Sequence, residues 1–327
     1  MSALTFGDRT VYVSVGDIES LLASVAASVA DPTAGLFGPD SITWRINRES
    51  AVFLGAGRAA LLQLAHPWVI AALTDHSNVL HQPIARFHNT FRIVFTMVFG
   101  SLGQAMAAAR YLHGLHTHIR GELRVDAGQW PRGAHYEANE IGALRWVYST
   151  LVESAIFGYE CAIGPLAADE REQYYAESRT FASLFGLPTA ALPATWSAFA
   201  EYTSQMHAST QLAVTDAARA YADRLLSGAG SWLRPPAWFR ALTAAWMPPL
   251  LRGEFFPGYG RAEQYTAEAA ARRLPRVYRH LPAWARYVGP WQQAHARLAH
   301  RSPGLLTRMN NHFWIGQPLL PFATGEP

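Results

Sequence analysis

The chain has 327 residues, half of them apolar, and a net charge of only +3, so it can bury a large core. All 27 basic residues are arginine, which excludes a Schiff-base lysine, a P-loop lysine and a catalytic lysine base. The one cysteine, Cys161, excludes an internal disulfide and a thiolate metal cluster. No basic run suggests nucleic-acid binding. Without a signal-peptide or transmembrane pattern, the expected location is cytoplasmic.

Apolar residues at helical spacing predict α-helices along most of the chain. The first is predicted over residues 17–30, with Asp17 as its N-cap. Further helices are predicted over residues 49–64, 69–74, 84–99, 102–120, 140–161, 168–185, 196–212, 215–226, 235–256, 261–274 and 282–301, with Thr195 as the N-cap of the helix over 196–212. The helical stretch over 235–256 is predicted to be broken at Pro248 and Pro249. Strand patterns are nearly absent, so the fold class is all-α.

The predicted architecture is a single large multi-helix domain that encloses a cofactor pocket. Residues 1–40 form an N-terminal extension and first helix, residues 41–302 form the main helical domain, and residues 303–327 form an irregular C-terminal tail. Pro67 is expected to break a helix, with His66 packed at that break rather than binding a metal.

Three histidines fall within six residues, at His113, His116 and His118. On a helix over residues 102–120, Arg110, His113, His116 and Arg120 share one face, whereas His118 lies about 200° from His116. One face therefore carries two imidazoles bracketed by two guanidiniums. That combination suits a metal-centred, anionic cofactor.

The chain has no Glu-x-x-His pair for a diiron bundle, no His-Glu-x-x-His zinc signature and no Cys-x-x-Cys. What remains for a metal is a single axial imidazole on haem iron, with arginines near the propionates. The alternative is that His113 and His116 occupy a polar helix face or satisfy hydrogen bonds in the core. From the residues alone, this alternative is the stronger interpretation.

Ten short blocks, in order along residues 41–205, resemble the family of the bacterial rubber oxygenase (latex-clearing protein) and the fungal oxygenase MpaB of mycophenolic acid biosynthesis. They are ALLQLAHP (60–67), DHS (75–77), RFHNT (86–90), VFG (98–100), HGLHTHIRG (113–121), YEA (136–138), LRWVY (144–148), EREQYYAE (170–177), GLP (186–188) and LP (192–193). Each block is weak alone, but their common order is difficult to obtain by chance.

The resemblance implies an all-α fold and a b-type haem whose iron is bound by His116. His113 and Arg120 would lie one turn to either side of this ligand, close to the haem. Arg86 and Thr90 match a pair that lines the haem pocket in the family. The reaction that this family is known for is the dioxygen-dependent cleavage of a carbon–carbon double bond in an isoprenoid.

Two positions depart from the family pattern. Some rubber oxygenases have a lysine beside the threonine where this chain has Asn89, and the Trp-Val-His block of relatives ends here in Tyr148. Thr90, Tyr148 and Arg86 are the catalytic candidates: Thr90 or Tyr148 could donate a hydrogen bond to dioxygen, although Tyr148 could also simply pack. For Arg86 and Arg120, the alternative to a role in the pocket is an ion pair with Glu140 or Glu153.

The predicted function is that of a haem b-dependent oxygenase acting on an apolar, unsaturated or isoprenoid-like substrate. Its expected partners are that substrate and dioxygen, and an electron donor is a further candidate. Two alternatives stay open. One is a haem protein of another activity, such as a peroxygenase, a biosynthetic oxidase or a sensor. The other is a haem-free helical protein that binds lipid or another protein.

Overall fold

The computed structural model describes residues 11–76, 83–228 and 234–322, except for the side chains of Pro83 and Arg86. These ranges form sixteen α-helices and one two-stranded sheet, which confirms the all-α prediction. The helices are α1 Val15–Ser28, α2 Ile42–Asn47, α3 Ala56–Leu64, α4 Pro67–His76, α5 Pro83–Phe99, α6 Leu102–His116, α7 Ile141–Ala162, α8 Ala168–Ala182, α9 Trp196–Ala208, α10 Asp216–Ser227, α11 Ala237–Trp246, α12 Pro249–Phe255, α13 Arg261–Tyr278, α14 Ala283–Arg286, α15 Gly289–Leu298 and α16 Leu305–Ile315.

The small sheet pairs β1, Arg120–Glu122, with β2, His135–Glu137, in antiparallel register with Gly121 opposite Tyr136. Short 3₁₀ helices span Ser50–Gly55, Ser183–Phe185 and Thr189–Ala191. In the described ranges, none of the helices combines the length and the apolar character that a membrane crossing needs.

Hydroxyl and carboxylate caps fix several helix starts. Thr195 caps α9 as predicted, since its side chain accepts a hydrogen bond from the amide of Ala198. The predicted cap of α1 was wrong: Ser14, not Asp17, is its N-cap. Asp17 is the third helical residue and accepts from the Ser14 amide at 2.9 Å, which closes a capping box.

The 22-residue helix α7 runs through the core and packs against the Ser50–Gly55 3₁₀ helix and α3. Two glycines allow this close approach. A Cβ atom on Gly55 would collide with the carbonyl oxygen of Ser154, and one on Gly158 would lie 2.6 Å from the carbonyl oxygen of Ala51. The backbones of α7 and the 3₁₀ helix therefore touch, and together they form one side of an internal cavity described below.

Gly55→Ala is expected to destabilise the protein by about 2–3 kcal/mol, because the added methyl meets backbone that cannot move without shifting α7. Denaturant unfolding followed by circular dichroism measures this change. The matched control is Gly253→Ala in α12, where a Cβ meets nothing within 4 Å and helix propensity favours alanine by up to about 1 kcal/mol. Equal stability of the two variants would contradict the contact argument.

A buried carboxylate joins the C-terminal helices to the core. Glu49 is only 2 % exposed; it accepts hydrogen bonds from Arg286 Nε at 2.8 Å and from the Tyr278 hydroxyl at 3.0 Å. A buried carboxylate is tolerated when it is paired and hydrogen-bonded in this way. The helices after α12 therefore belong to the same packed unit as the N-terminal half.

The prediction of an irregular tail after residue 302 was wrong for Leu305–Ile315, which forms α16. This helix packs on α5: Arg92 Nε donates to the Ile315 carbonyl at 3.2 Å, and the Trp314 ring lies 4.4 Å from that of Phe53. Only Asn311, Trp314 and Ile315 of α16 are buried. The helical spacing of Leu305, Met309 and Phe313 was present in the sequence, but the prediction of an irregular tail did not use it.

Candidate functional site

The predicted ligand helix is shorter than expected, because α6 ends at His116. The hydroxyl of Thr117 and Nδ1 of His118 both donate to the Gly114 carbonyl, at 2.7 and 2.9 Å, so side chains take over an acceptor of the last turn. Arg120 lies beyond this end in β1, so the predicted four-residue face does not form. Arg120 is exposed, and its carbonyl accepts from His76 Nε2 at 3.0 Å.

His113 is buried and joins α6 to the segment before α1. Its Nε2 donates to the Val13 carbonyl at 2.9 Å, and its own carbonyl accepts from Asn139 Nδ2 at 3.2 Å. Arg110, from the same predicted face, forms a bidentate pair with Glu19 at 2.7 and 2.8 Å. A contact between Nε2 of His113 and a cofactor would therefore require the bond to Val13 to break.

His116 is the half-buried imidazole at the end of α6, and His118 is exposed. Helices α5 and α6 are joined by the two residues Gly100 and Ser101 and pack together. His116 consequently lies toward the same end of this helix pair as Arg86, which is in the first turns of α5. The side chain of Arg86 is outside the described residues.

An apolar cavity lies between the Ser50–Gly55 3₁₀ helix and helices α5, α7 and α8. Its volume is about 110 Å³, and the atom-free space that also includes its mouth is about 870 Å³. Its walls are Thr43, Asn47, Val52, Phe53, Gly55, Ala56, Ala59, Thr90, Phe91, Val94, Phe95, Val98, Tyr148, Leu151, Val152, Ser154, Ala155, Tyr174, Ser178 and Phe181. Mostly apolar walls with a few polar groups are typical of small-molecule sites.

Two of the three predicted catalytic residues, Thr90 and Tyr148, line this cavity. Thr90 is exposed, so the cavity opens to solvent beside it. His113, His116 and His118 are not among the lining residues. The structure thus places the candidate ligand at one end of the α5–α6 pair and the cavity along the middle of α5.

Tyr148 is fully enclosed by protein, and its hydroxyl donates to the Ser178 carbonyl at 2.5 Å. Burial raises the pKa of this phenol well above its usual value, because the anion would lose its hydration. The single hydroxyl proton is therefore used in the hydrogen bond to Ser178 of α8. Of the two interpretations of Tyr148, the geometry favours packing and positioning over proton donation.

Thr43 is a cavity residue that the sequence analysis missed. It is 3 % exposed, and its hydroxyl oxygen is buried with no hydrogen-bond partner among the described residues. Buried hydroxyls are normally satisfied, so this oxygen is available to a ligand in the cavity. No pattern in the sequence around Thr43 distinguishes it from an ordinary residue in the first turn of a helix.

A second missed group is a buried ion pair behind the cavity wall. Arg58 Nη2 lies 2.8 Å from Glu153 Oε2, and Arg58 also donates to Ser154 Oγ at 3.0 Å and to the Trp246 carbonyl at 2.9 Å. Glu153 also lies 3.7 Å from His207 Nε2. The alternative that paired Glu153 with Arg120 was wrong, because the described partners of Glu153 do not include it. Glu140 instead caps α7.

The side chains that could bind a metal suit a cofactor that itself supplies most of the metal ligands. No cluster of three or more His, Cys, Asp or Glu side chains in the described ranges could hold a bare metal ion. Burial raises the pKa of the Cys161 thiol to about 11, which disfavours the thiolate needed for ligation. A haem, whose macrocycle supplies four nitrogens, needs only one axial side chain. A single half-buried imidazole such as His116 fits that requirement.

His66 is buried at the break between α3 and α4, in line with the interpretation of a packed helix break. Its Nδ1 accepts from the Trp68 amide at 3.3 Å, and its ring contacts Trp130 with centroids 6.0 Å apart. Burial lowers the pKa of His66 from its ordinary 6.5 to about 4, because the imidazolium would lose its hydration. The side chain is therefore neutral in the folded protein at neutral pH.

Stability is expected to fall by an amount on the order of 3 kcal/mol between pH 6.5 and pH 4 because of His66. In this window the unfolded imidazole takes up a proton and the folded one does not, so acid favours the unfolded chain. The contribution is complete above pH 6.5. Urea unfolding across this range measures it, and His66→Asn, whose amide oxygen can still accept from the Trp68 amide, should have a flatter profile. Identical profiles for the two proteins would contradict the assignment.

Comparison with known proteins gives one match. A family model described as "ER-bound oxygenase mpaB/B'/Rubber oxygenase, catalytic domain" matches residues 43–286. This range includes the cavity walls as well as Arg86, His113, His116 and Arg120. Searches of curated proteins and of solved structures found no match to the chain.

Proposed function

The chain belongs to the MpaB/rubber oxygenase family, and from this premise we propose that it is a haem b-dependent oxygenase acting on an apolar, unsaturated substrate of isoprenoid type. The observation that carries the proposal is the apolar cavity within the matched range, with Thr90 at its mouth. The family membership supports the oxygenase class. Haem dependence, the ligand and the substrate class are the proposal.

His116 is the proposed axial ligand. The resemblance of the block over residues 113–121 to the family supports His116 for this role, and this imidazole is half-buried at the end of α6. Arg86, at the same end of the α5–α6 pair, and Arg120, exposed in β1, are the proposed partners of the propionates, for which planar guanidiniums are well suited. When bound, haem would supply an iron that activates dioxygen.

The cavity is the proposed substrate site. Aromatic and aliphatic side chains, many of them from α5 and α7, line it, and they would exclude water from an apolar chain and hold it in place. The hydroxyls of Thr43 and Thr90 are two groups in this wall that can hydrogen-bond to a ligand. Thr90 is the proposed donor to dioxygen, and Tyr148 holds α7 against α8 through Ser178.

The proposal is tested by dioxygen consumption of the haem-loaded protein with squalene, an isoprenoid alkene, and with its saturated analogue squalane. We expect consumption and a carbonyl product with squalene only. Thr90→Val should lower the rate roughly 10- to 100-fold, the value of a hydrogen bond to a developing charge of about 1.5–3 kcal/mol. Tyr148→Phe should change mainly stability. Equal rates with squalene and squalane, or no effect at Thr90, would contradict the proposal.

A further inference from the structure

Helix α16 carries a run of exposed apolar side chains. Leu305, Leu306, Met309 and Phe313 are 74, 70, 61 and 53 % exposed. Both leucines lie three or four residues before Met309, and Met309 lies four before Phe313, which places these side chains on one outward face. The nearby Trp284 is 63 % exposed. A contiguous apolar patch of this kind marks an interaction site on most proteins. We call these five residues the α16 patch.

Asn310 of α16 links this helix to the backbone of Trp284 and Tyr287. The amide of Asn310 donates from Nδ2 to the Trp284 carbonyl at 3.1 Å. The patch is therefore a fixed surface built from α14 and α16. Tryptophan at its edge is a residue type that favours the boundary between water and hydrocarbon.

The C-terminal segment that contains the patch is rich in arginine, although Arg272 pairs with Glu268 and Arg286 pairs with the buried Glu49. Between Glu268 and Glu326 the sequence has eight arginines and no acidic residue. Because the whole chain carries only +3, the rest of it is net acidic. Arg301 and Arg308 are exposed beside the patch, and within the described ranges neither forms an ion pair with a carboxylate.

The patch lies close to the mouth of the cavity. The Phe313 carbonyl accepts from His88 Nε2 at 3.0 Å, and His88 is two residues before Thr90, the exposed residue at the mouth. On the inner side of α16, Trp314 packs on Phe53, a cavity wall residue. A surface that covered the patch would therefore lie beside the entrance to the cavity.

We propose that the α16 patch docks on an anionic lipid surface, with its apolar side chains inserted among the acyl chains and the surrounding arginines on the headgroups. An exposed apolar helix face flanked by arginine is the pattern of an interfacial helix, and an anionic surface attracts each nearby arginine. The proposal goes beyond the oxygenase function and does not require haem. It gives a lipophilic substrate a route from the lipid phase into the cavity.

A second copy of the chain is a poorer occupant of this surface. A two-fold dimer would place the same patch on both sides, and it would bring Arg301 and Arg308 of the two copies close to each other. Like charges facing each other across an interface oppose association. The charge pattern thus favours a partner with many anionic groups.

The test is flotation of the protein with vesicles of phosphatidylcholine alone and with vesicles that also contain phosphatidylglycerol. We expect binding to the anionic vesicles and at least tenfold weaker binding to the neutral ones. Leu305→Ser/Met309→Ser/Phe313→Ser should weaken binding to the anionic vesicles by at least tenfold. Arg301→Gln/Arg308→Gln should weaken it by roughly fivefold for each arginine.

The matched controls change exposed residues away from the patch. Leu250→Ser removes a leucine that is 68 % exposed on α12, and Arg132→Gln removes an exposed arginine; both should bind as the wild type does. Circular dichroism checks that each variant is folded. The proposal would be overturned if the wild-type protein bound neither type of vesicle, or if the patch variants bound the anionic vesicles as well as the wild type does. A wild-type dimer that the serine variant dissociates would also overturn it, since a second copy would then cover the patch.

Discussion

His116→Ala is expected to abolish haem binding while the helical fold is retained. A ligand imidazole contributes the one protein bond to the iron, and the proposed ligand is His116, which is half-buried at the end of α6. The measurement is the Soret absorbance per mole of purified protein after titration with hemin, with circular dichroism as the check on folding. We expect occupancy to fall to the level of nonspecific binding.

The matched controls are the two neighbouring histidines. His118→Ala alters an exposed side chain and should keep haem at wild-type occupancy. His113→Ala removes the bond to Val13 and leaves the Val13 carbonyl unpaired; it should lower stability by about 1–3 kcal/mol with haem still bound. Wild-type occupancy in His116→Ala, or loss of haem in His118→Ala, would contradict the ligand assignment.

Arg58→Met is expected to destabilise the protein by about 3–5 kcal/mol, the cost of leaving one partner of a buried ion pair uncompensated. The side chains of Arg58 and Glu153 are only 3 and 16 % exposed. Arg58 also ties α3 to α7 and α11 through Ser154 and the Trp246 carbonyl, so its loss affects the wall of the cavity as well. Guanidinium unfolding followed by circular dichroism measures the change.

Two further variants separate the charge effect from packing. Arg58→Met/Glu153→Gln removes both charges and should recover part of the lost stability, because no buried charge is left unpaired. Arg124→Met breaks the pair with Asp75, in which the arginine is 79 % exposed, and should cost less than about 1 kcal/mol. A double variant less stable than Arg58→Met alone would contradict the account of this pair.

The helices could be predicted well where local signals decide their ends. Thr195 and Thr215 both cap helices through their side chains. Pro248 and Pro249 separate α11 from α12, as Pro residues that lack an amide hydrogen must. At the start of α1 the prediction of Asp17 as the N-cap was wrong, because Ser14 caps the helix and Asp17 lies in its first turn.

The end of α6 could not be predicted, because it depends on a distant segment. Residues 117–120 continue a plausible helical pattern, but Arg120 pairs with Glu137 in the small sheet. A two-stranded ladder of three residues leaves almost no periodic signal in the sequence. The predicted stripe of two imidazoles and two arginines failed for this reason, while His113 and His116 themselves remained on the helix.

The candidate site was predicted in part. Thr90 and Tyr148 were selected by family resemblance, and they line one cavity although they are 58 positions apart in the sequence. The hydroxyl bond from Tyr148 to Ser178 and the unpartnered hydroxyl of Thr43 depend on how α2, α7 and α8 pack, which no local pattern encodes. Arg58 could have been noticed in the sequence, because it is the one charged residue of α3. Its partners could not be predicted from the sequence.

The central claim is that this chain holds haem through His116 with a site open to a further ligand. The most direct test is the absorption spectrum of the purified protein loaded with hemin, recorded before and after dithionite and then carbon monoxide. We expect a Soret band that shifts on reduction and shifts again with carbon monoxide. A spectrum that hemin leaves unchanged would contradict the claim and remove haem from the proposed function.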